Sequence, residues 1–154
     1  MDRFIEAFRR HDIPFAVESE RYFFTTPEIT DFINLLRAAE NPNDLLSLVG
    51  FLRGSLGGLT DEEILRRRLN RTLEEAEPVQ WIRRMSVRLE RLPLSEVLSD
   101  IFENSFMLEM AARAYHGDQT IANIQKFKRL LENFAAQGTT TLGVLLQKID
   151  AFFD

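Results

Sequence analysis

The chain has 154 residues, 45% hydrophobic and 28% charged, with a formal net charge of −5 and no cysteine. This composition suits one domain with a sizeable core, excludes disulfides, thiolate metal sites and cysteine nucleophiles, and argues against nonspecific nucleic-acid binding. No apolar run approaches the roughly 18 residues of a spanning helix, and the mixed-charge start is no secretory signal, so a cytoplasmic protein without membrane contact is expected.

Phe4, Ile5 and Phe8 give a first amphipathic helix at about 2–11. Pro14 breaks it, because the residue before a proline is pushed to extended geometry. Phe15-Ala16-Val17 and Tyr22-Phe23-Phe24 flank a polar Glu18-Ser19-Glu20-Arg21, the pattern of a short hairpin. A second helix comes next. Thr26 is placed to cap it, Pro27 suits its first position and Glu28 its positive first turn. Ile29, Phe32, Ile33 and Leu36 recur at helical spacing, and Asn41-Pro42 ends the element.

Asn43 or Asp44 starts the next helix, which carries Leu45, Leu48, Val49 and Leu52 toward a core. Residues 54–59 hold three of the seven glycines, and Thr60-x-x-Glu63 directly after them is a capping box. Pro78 and Pro93 divide the next stretch into helices of about 61–75, 78–91 and 94–104. Further helices are expected at about 105–115 and 119–137, the latter stopped by Gly138. A final helix carries Leu142, Leu145, Leu146, Ile149, Phe152 and Phe153. The fold class is therefore mainly α: a compact multi-helix domain with at most a small N-terminal β-hairpin. The thirteen phenylalanines belong mostly to its core, since a bare phenyl has no polar handle for a wet site. An end on Phe152-Phe153-Asp154, still in apolar helical period, is the pattern of a cut through a larger protein.

Charge is unevenly spread. Sixteen of the nineteen cations are arginine, and residues 66–91 carry Arg66, Arg67, Arg68, Arg71, Arg83, Arg84, Arg88 and Arg91 against four glutamates. Such a stripe is either a solvated helix face or a local phosphate-binding surface.

Catalytic motifs are missing. Gly138 and Gly143 have the spacing of a phosphate-cradling loop, but Val144 and Leu145 stand where Lys and Ser or Thr are needed. His11 and His116 are solitary, and Asp61-Glu62-Glu63 and Glu74-Glu75 fit helix starts and solvated faces rather than an acid–base pair.

Several stretches run in an order of their own: Ile13-Pro14-Phe15, Arg21-Tyr22-Phe23-Phe24, Pro27-Glu28-Ile29-Thr30-Asp31, Leu35-Leu36-Arg37, Asn41-Pro42-x-Asp44 and Leu52-Arg53-Gly54. Leu92-Pro93-Leu94-Ser95-Glu96-Val97-Leu98 and Gly117-Asp118-Gln119-Thr120-Ile121-Ala122-Asn123-Ile124 continue it. Together, over about residues 12–150, they resemble the accessory 2B subdomain of UvrD/Rep-type superfamily 1 DNA helicases. The form at 52–63 is similar to the AddA/RecB branch of helicase–nucleases. Departures are Glu18-Ser19-Glu20 for the usual glycine pair, Thr30 for a common Lys and Thr120 for a common Arg.

The resemblance implies that residues 1–25 link back to a second motor domain and that 26–154 form a non-catalytic accessory subdomain. It implies no cofactor here, with ATP and Mg belonging to the parent enzyme, and as partners the motor domains and duplex DNA. The implied backbone contact is Arg53, Gly54, Ser55, Gly57, Gly58 and Thr60, where exposed N–H groups and a helix start can accept a phosphate. The same residues also read as a plain glycine turn whose following carboxylates oppose an anion. Arg66, Arg67, Arg71, Arg83 and Arg84 form the second candidate surface. A protein–protein interaction module without DNA contact is the alternative function.

Overall fold

In the computed structural model of the chain, residues 23–104, 117–138 and 141–152 are described. The expected helices at 2–11 and 105–115, most of the expected hairpin, and Phe153 lie outside them. Among the described residues there are seven α-helices, one 3-10 turn and no strand. Phe23 has helical backbone and Phe24 lies in a turn, so neither forms a hairpin strand.

The first described helix, α1 (Pro27–Glu40), is the hub. It packs against α2 (Leu45–Arg53), α4 (Glu77–Leu89), α6 (Gly117–Ala136) and α7 (Leu142–Asp150). Its buried residues are Ile29, Phe32, Ile33, Leu35, Leu36, Ala38 and Ala39, a wider set than one stripe. A helix buried on most of its circumference sits inside its neighbours rather than beside them. Between α2 and α4 come α3 (Asp61–Leu69) and the 3-10 turn Leu73–Glu75. Helix α5 (Leu94–Asn104) packs on α4 and α6.

The Phe23-Phe24 pair belongs to this core. The two rings meet edge-on at 5.2 Å, Phe24 stacks on Phe152 at 4.8 Å, and both touch Phe127. Phe32 stacks on Phe102 at 4.6 Å and also meets Phe127. Burying one such side chain is worth about 1.5–3 kcal/mol.

Local expectations differ at three places. Thr26 precedes Pro27 as foreseen but makes no side-chain cap. Its buried hydroxyl donates to the Phe23 carbonyl at 3.0 Å, which satisfies it inside the core. Leu45 is 44% exposed rather than core, because the buried stripe of α2 runs through Ser47, Leu48, Phe51 and Leu52 and leaves Leu45 at its edge. The helix expected to reach 75 ends at Leu69. Arg71 adopts a left-handed backbone with φ of 58°. Thr72 N–H then reaches the Arg67 carbonyl and Arg71 N–H the Arg68 carbonyl. These two bonds are a Schellman closure, which usually places glycine where Arg71 stands.

Caps hold elsewhere. The Asp44 carboxylate accepts Ser47 N–H at 3.0 Å, and Thr60 Oγ1 accepts Glu63 N–H at 3.2 Å. The Glu63 carboxylate pairs with Arg67 one turn on.

Candidate nucleic-acid interface

The turn between α2 and α3 brings Arg53, Gly54, Ser55, Gly57, Gly58 and Thr60 together, as their sequence adjacency requires. Its shape is set from beneath by Asp31 on α1. One Asp31 carboxylate oxygen accepts both Ser55 N–H, at 3.1 Å, and the Ser55 hydroxyl, at 3.2 Å. A Cβ on Gly54 would lie 2.4 Å from that carboxylate, so a larger residue there has to push the Asp31 side chain off Ser55. A Cβ on Gly57 would lie 2.4 Å from Leu52 Cα and the Phe51 carbonyl, both backbone. Gly58 N–H donates to the Gly54 carbonyl, and Leu59 N–H to the Leu52 carbonyl, closing the loop on itself.

The electrostatics of this turn are largely neutralised. Arg53 forks onto Asp61 at the start of α3, Nε to Oδ1 at 2.6 Å and Nη2 to Oδ2 at 3.1 Å. Burial pushes the Asp31 carboxyl above its ordinary 3.8, the Ser55 hydrogen bonds pull it back, and the Glu28 charge adds to the rise. The donor a phosphate would seek at Ser55 thus already holds an internal carboxylate. A phosphate arriving here displaces protein carboxylates.

The arginine-rich region divides in two. Arg67 is paired with Glu63. Arg83 forks onto Glu74 at 3.0 and 2.8 Å and donates to the Pro42 carbonyl at 2.8 Å, tying α4 to the turn before α2. The Arg83 hydrogen bonds hold the Glu74 carboxyl below its ordinary 4.5 despite partial burial. Arg88 pairs with Asp100 on α5. By contrast Arg66, Arg68, Arg71, Arg84 and Arg91 are exposed and form no ion pair among the described residues. Arg84 lies on α4 and Arg91 in the turn just after its end.

Asp31 was not foreseen as a site residue. The one available signal was its place three residues after Glu28, which puts both on one face of α1. Arg68 and Arg91 also belong with the unpaired cations, whereas Arg67 and Arg83, expected in that stripe, are held by glutamates. The i,i+4 spacing of Glu63 and Arg67 announces their pair, but Glu74 and Arg83 meet across a loop. Among the described residues no cluster of three or more His, Cys, Asp or Glu side chains is arranged to hold a metal ion, and no helix is long and apolar enough to cross a membrane.

No protein-family model matches the chain. Individual relatives do. The ATP-dependent helicase/nuclease A subunit of Alkaliphilus oremlandii is 33% identical over 67 residues, which are 44% of this chain and 6% of that protein. The protein of the same name from Staphylococcus carnosus is 34% identical over 64 residues, 42% of this chain and 5% of that protein. The one from Limosilactobacillus reuteri is 28% identical over 106 residues, 66% of this chain and 8% of that protein.

Part of this chain is similar to helicase/nuclease A subunits.

It spans less than a tenth of the length of these helicase/nuclease proteins. The polar residues that carry the helicase resemblance serve here as joints between helices. Gln119 donates to the Asn123 side-chain oxygen at 3.1 Å, and Asn123 donates to Glu28 at 2.6 Å. Asp31 holds the glycine turn, and Arg37 pairs with Asp150 on α7. All three joints start from α1.

Proposed function

We propose that the chain is a non-catalytic accessory domain of an ATP-dependent DNA helicase or helicase–nuclease, in which residues 26–154 form the accessory subdomain and 1–25 lead back to a motor domain. The observation that carries this reading is the part-length relationship to helicase/nuclease A subunits. The joints from α1 support it, since they spend the polar residues of the resemblance on holding helices together rather than on a reacting group. In such a parent, ATP and magnesium belong to the motor parts, and the setting is the cytoplasm, where DNA is repaired and recombined.

The contact we assign to this domain is with duplex phosphates, without base reading. Arg71, Arg84 and Arg91 are the better cations for it, because no carboxylate has to be released before they meet an anion. The turn at Arg53, Gly54, Ser55, Gly57, Gly58 and Thr60 is the second surface, where Asp31 and Asp61 compete with the phosphate. Purified chain assayed for ATP hydrolysis and nuclease activity with single-stranded DNA should give the buffer rate. Turnover that copurifies with the protein and follows its concentration overturns the reading.

A further inference from the structure

Helix α3 is weakly embedded: of its nine residues only Ile64 is buried. It nevertheless exposes two leucines, Leu65 at 59% and Leu69 at 74%. Four residues apart, they lie one above the other on one helical face. Arg66 and Arg68 are exposed and form no ion pair among the described residues. At about 100° per residue they bracket the leucine pair, one on each side. The C-terminal half of α3 is thus an apolar ridge between two cations that form no ion pair among the described residues, although Arg68 lies within the electrostatic reach of Glu74. Helix-dipole complementarity accounts for cations in a last turn, but not for leucines in water. A phosphate backbone would use the arginines and leave the leucines wet. An acidic amphipathic helix would cover both. Glu62, exposed at the other end of this face, sets the direction: the incoming carboxylates belong over the C-terminal half. A second copy laid parallel brings its own Arg66 and Arg68 to the same ridge, and one laid antiparallel offers only the carboxylates of its first turn, whereas an acidic helix offers carboxylates along its length.

We propose that the Leu65–Leu69 face of α3 docks an amphipathic helix of another protein, its leucine or isoleucine stripe on the two leucines and its flanking carboxylates on Arg66 and Arg68. Arg71, assigned to duplex phosphates, follows Leu69 by two residues, so the two surfaces adjoin there, but the docking face is built from Leu65, Leu69, Arg66 and Arg68 and stands whether or not that assignment holds.

The test uses the full chain and a labelled helical peptide with leucines at i, i+4 and i+7 flanked by glutamates, beside a counterpart with lysines. Anisotropy should show saturable binding of the glutamate peptide only. Binding should weaken about tenfold or more in Leu65→Ser/Leu69→Ser and in Arg66→Glu/Arg68→Glu, the loss expected when central contacts are removed. Circular dichroism should show both variants folded, with at most a small loss of helix in Arg66→Glu/Arg68→Glu, where carboxylates replace cations in the last turn of α3. Equal binding of both peptides, no binding, or insensitivity to the leucine change overturns the proposal. Self-association abolished by Leu65→Ser/Leu69→Ser assigns the face to a second copy and overturns it. So does loss of duplex binding in Arg66→Glu/Arg68→Glu while peptide binding persists unchanged.

Discussion

Asn123 Nδ2 donates to Glu28 Oε1 at 2.6 Å and so joins the second turn of α6 to the first turn of α1, across 95 residues of sequence. The contact is part-buried, and the Asn123 oxygen is held in turn by Gln119. Hydrogen bonds to charged groups are worth about 1.5–3 kcal/mol, and less where water reaches them. Asn123→Ala should therefore lower stability by about 1–2 kcal/mol in urea unfolding. Glu28→Gln should cost less, because the acceptor survives and only the charge at the helix start is lost. Equal, near-zero losses in both would show the joint to be incidental.

Arg71 offers the opposite sign. A side chain in the left-handed region costs roughly 1 kcal/mol, which glycine avoids. Arg71→Gly should be more stable than Arg71→Ala by about that amount, since Ala keeps the strain and both lose the charge. Thermal unfolding of the two variants side by side makes the comparison.

At the glycine turn, the two close approaches should differ in cost. Gly57→Ala places a methyl against backbone that cannot move aside, an overpacking worth about 1–3 kcal/mol or more. Gly54→Ala meets the Asp31 side chain, which can rotate away at the expense of its Ser55 hydrogen bonds, about 1 kcal/mol. Urea midpoints should rank wild type above Gly54→Ala above Gly57→Ala. A charged substitution at Gly57 reports on folding, not on DNA contact.

Two carboxylates should respond to pH with opposite signs. Asp31 is raised above 3.8 in the folded chain, chiefly by burial. Its contribution to stability is therefore full below 3.8 and lost as pH rises through the folded value. Glu74 is lowered, chiefly by the Arg83 hydrogen bonds. Its contribution is present above 4.5 and lost as pH falls through the folded value. Asp31→Asn should flatten the first dependence and Glu74→Gln the second. The Glu74 effect should stay below about 1 kcal/mol and shrink in salt, because that side chain is 62% exposed. Stability curves from pH 3 to 7 that keep both slopes in the two variants would contradict the assignments.

Much of the helix pattern was legible from local chemistry. Pro27 marked the start of α1, Thr60-x-x-Glu63 the start of α3, and Gly138 the end of α6, because each signal lies within one turn of the boundary it sets. The end of α3 was not legible: Arg71 takes a conformation for which the sequence signal is glycine. Phe51 displaced Leu45 from the core because the packing partner α1, not the spacing within α2, decides which stripe is buried. The candidate turn was legible as a contiguous run. Its neutralisation was not, since Asp31 meets Ser55 across 24 residues and Asp61 meets Arg53 across eight. Long-range pairing is what the chain reads poorly.

The central claim is that this domain meets duplex phosphates through arginines with no internal partner. The measurement is fluorescence anisotropy on a duplex with a single-stranded tail, taken across a salt series. Each phosphate contact contributes roughly 0.9 to the slope of log affinity against log salt. Arg84→Ala/Arg91→Ala should weaken binding and flatten that slope by nearly 2. Arg53→Ala should leave it unchanged, because Asp61 already holds that charge. An unchanged slope in the double variant, with the loss appearing in Arg53→Ala instead, would contradict the account and move the contact to the glycine turn.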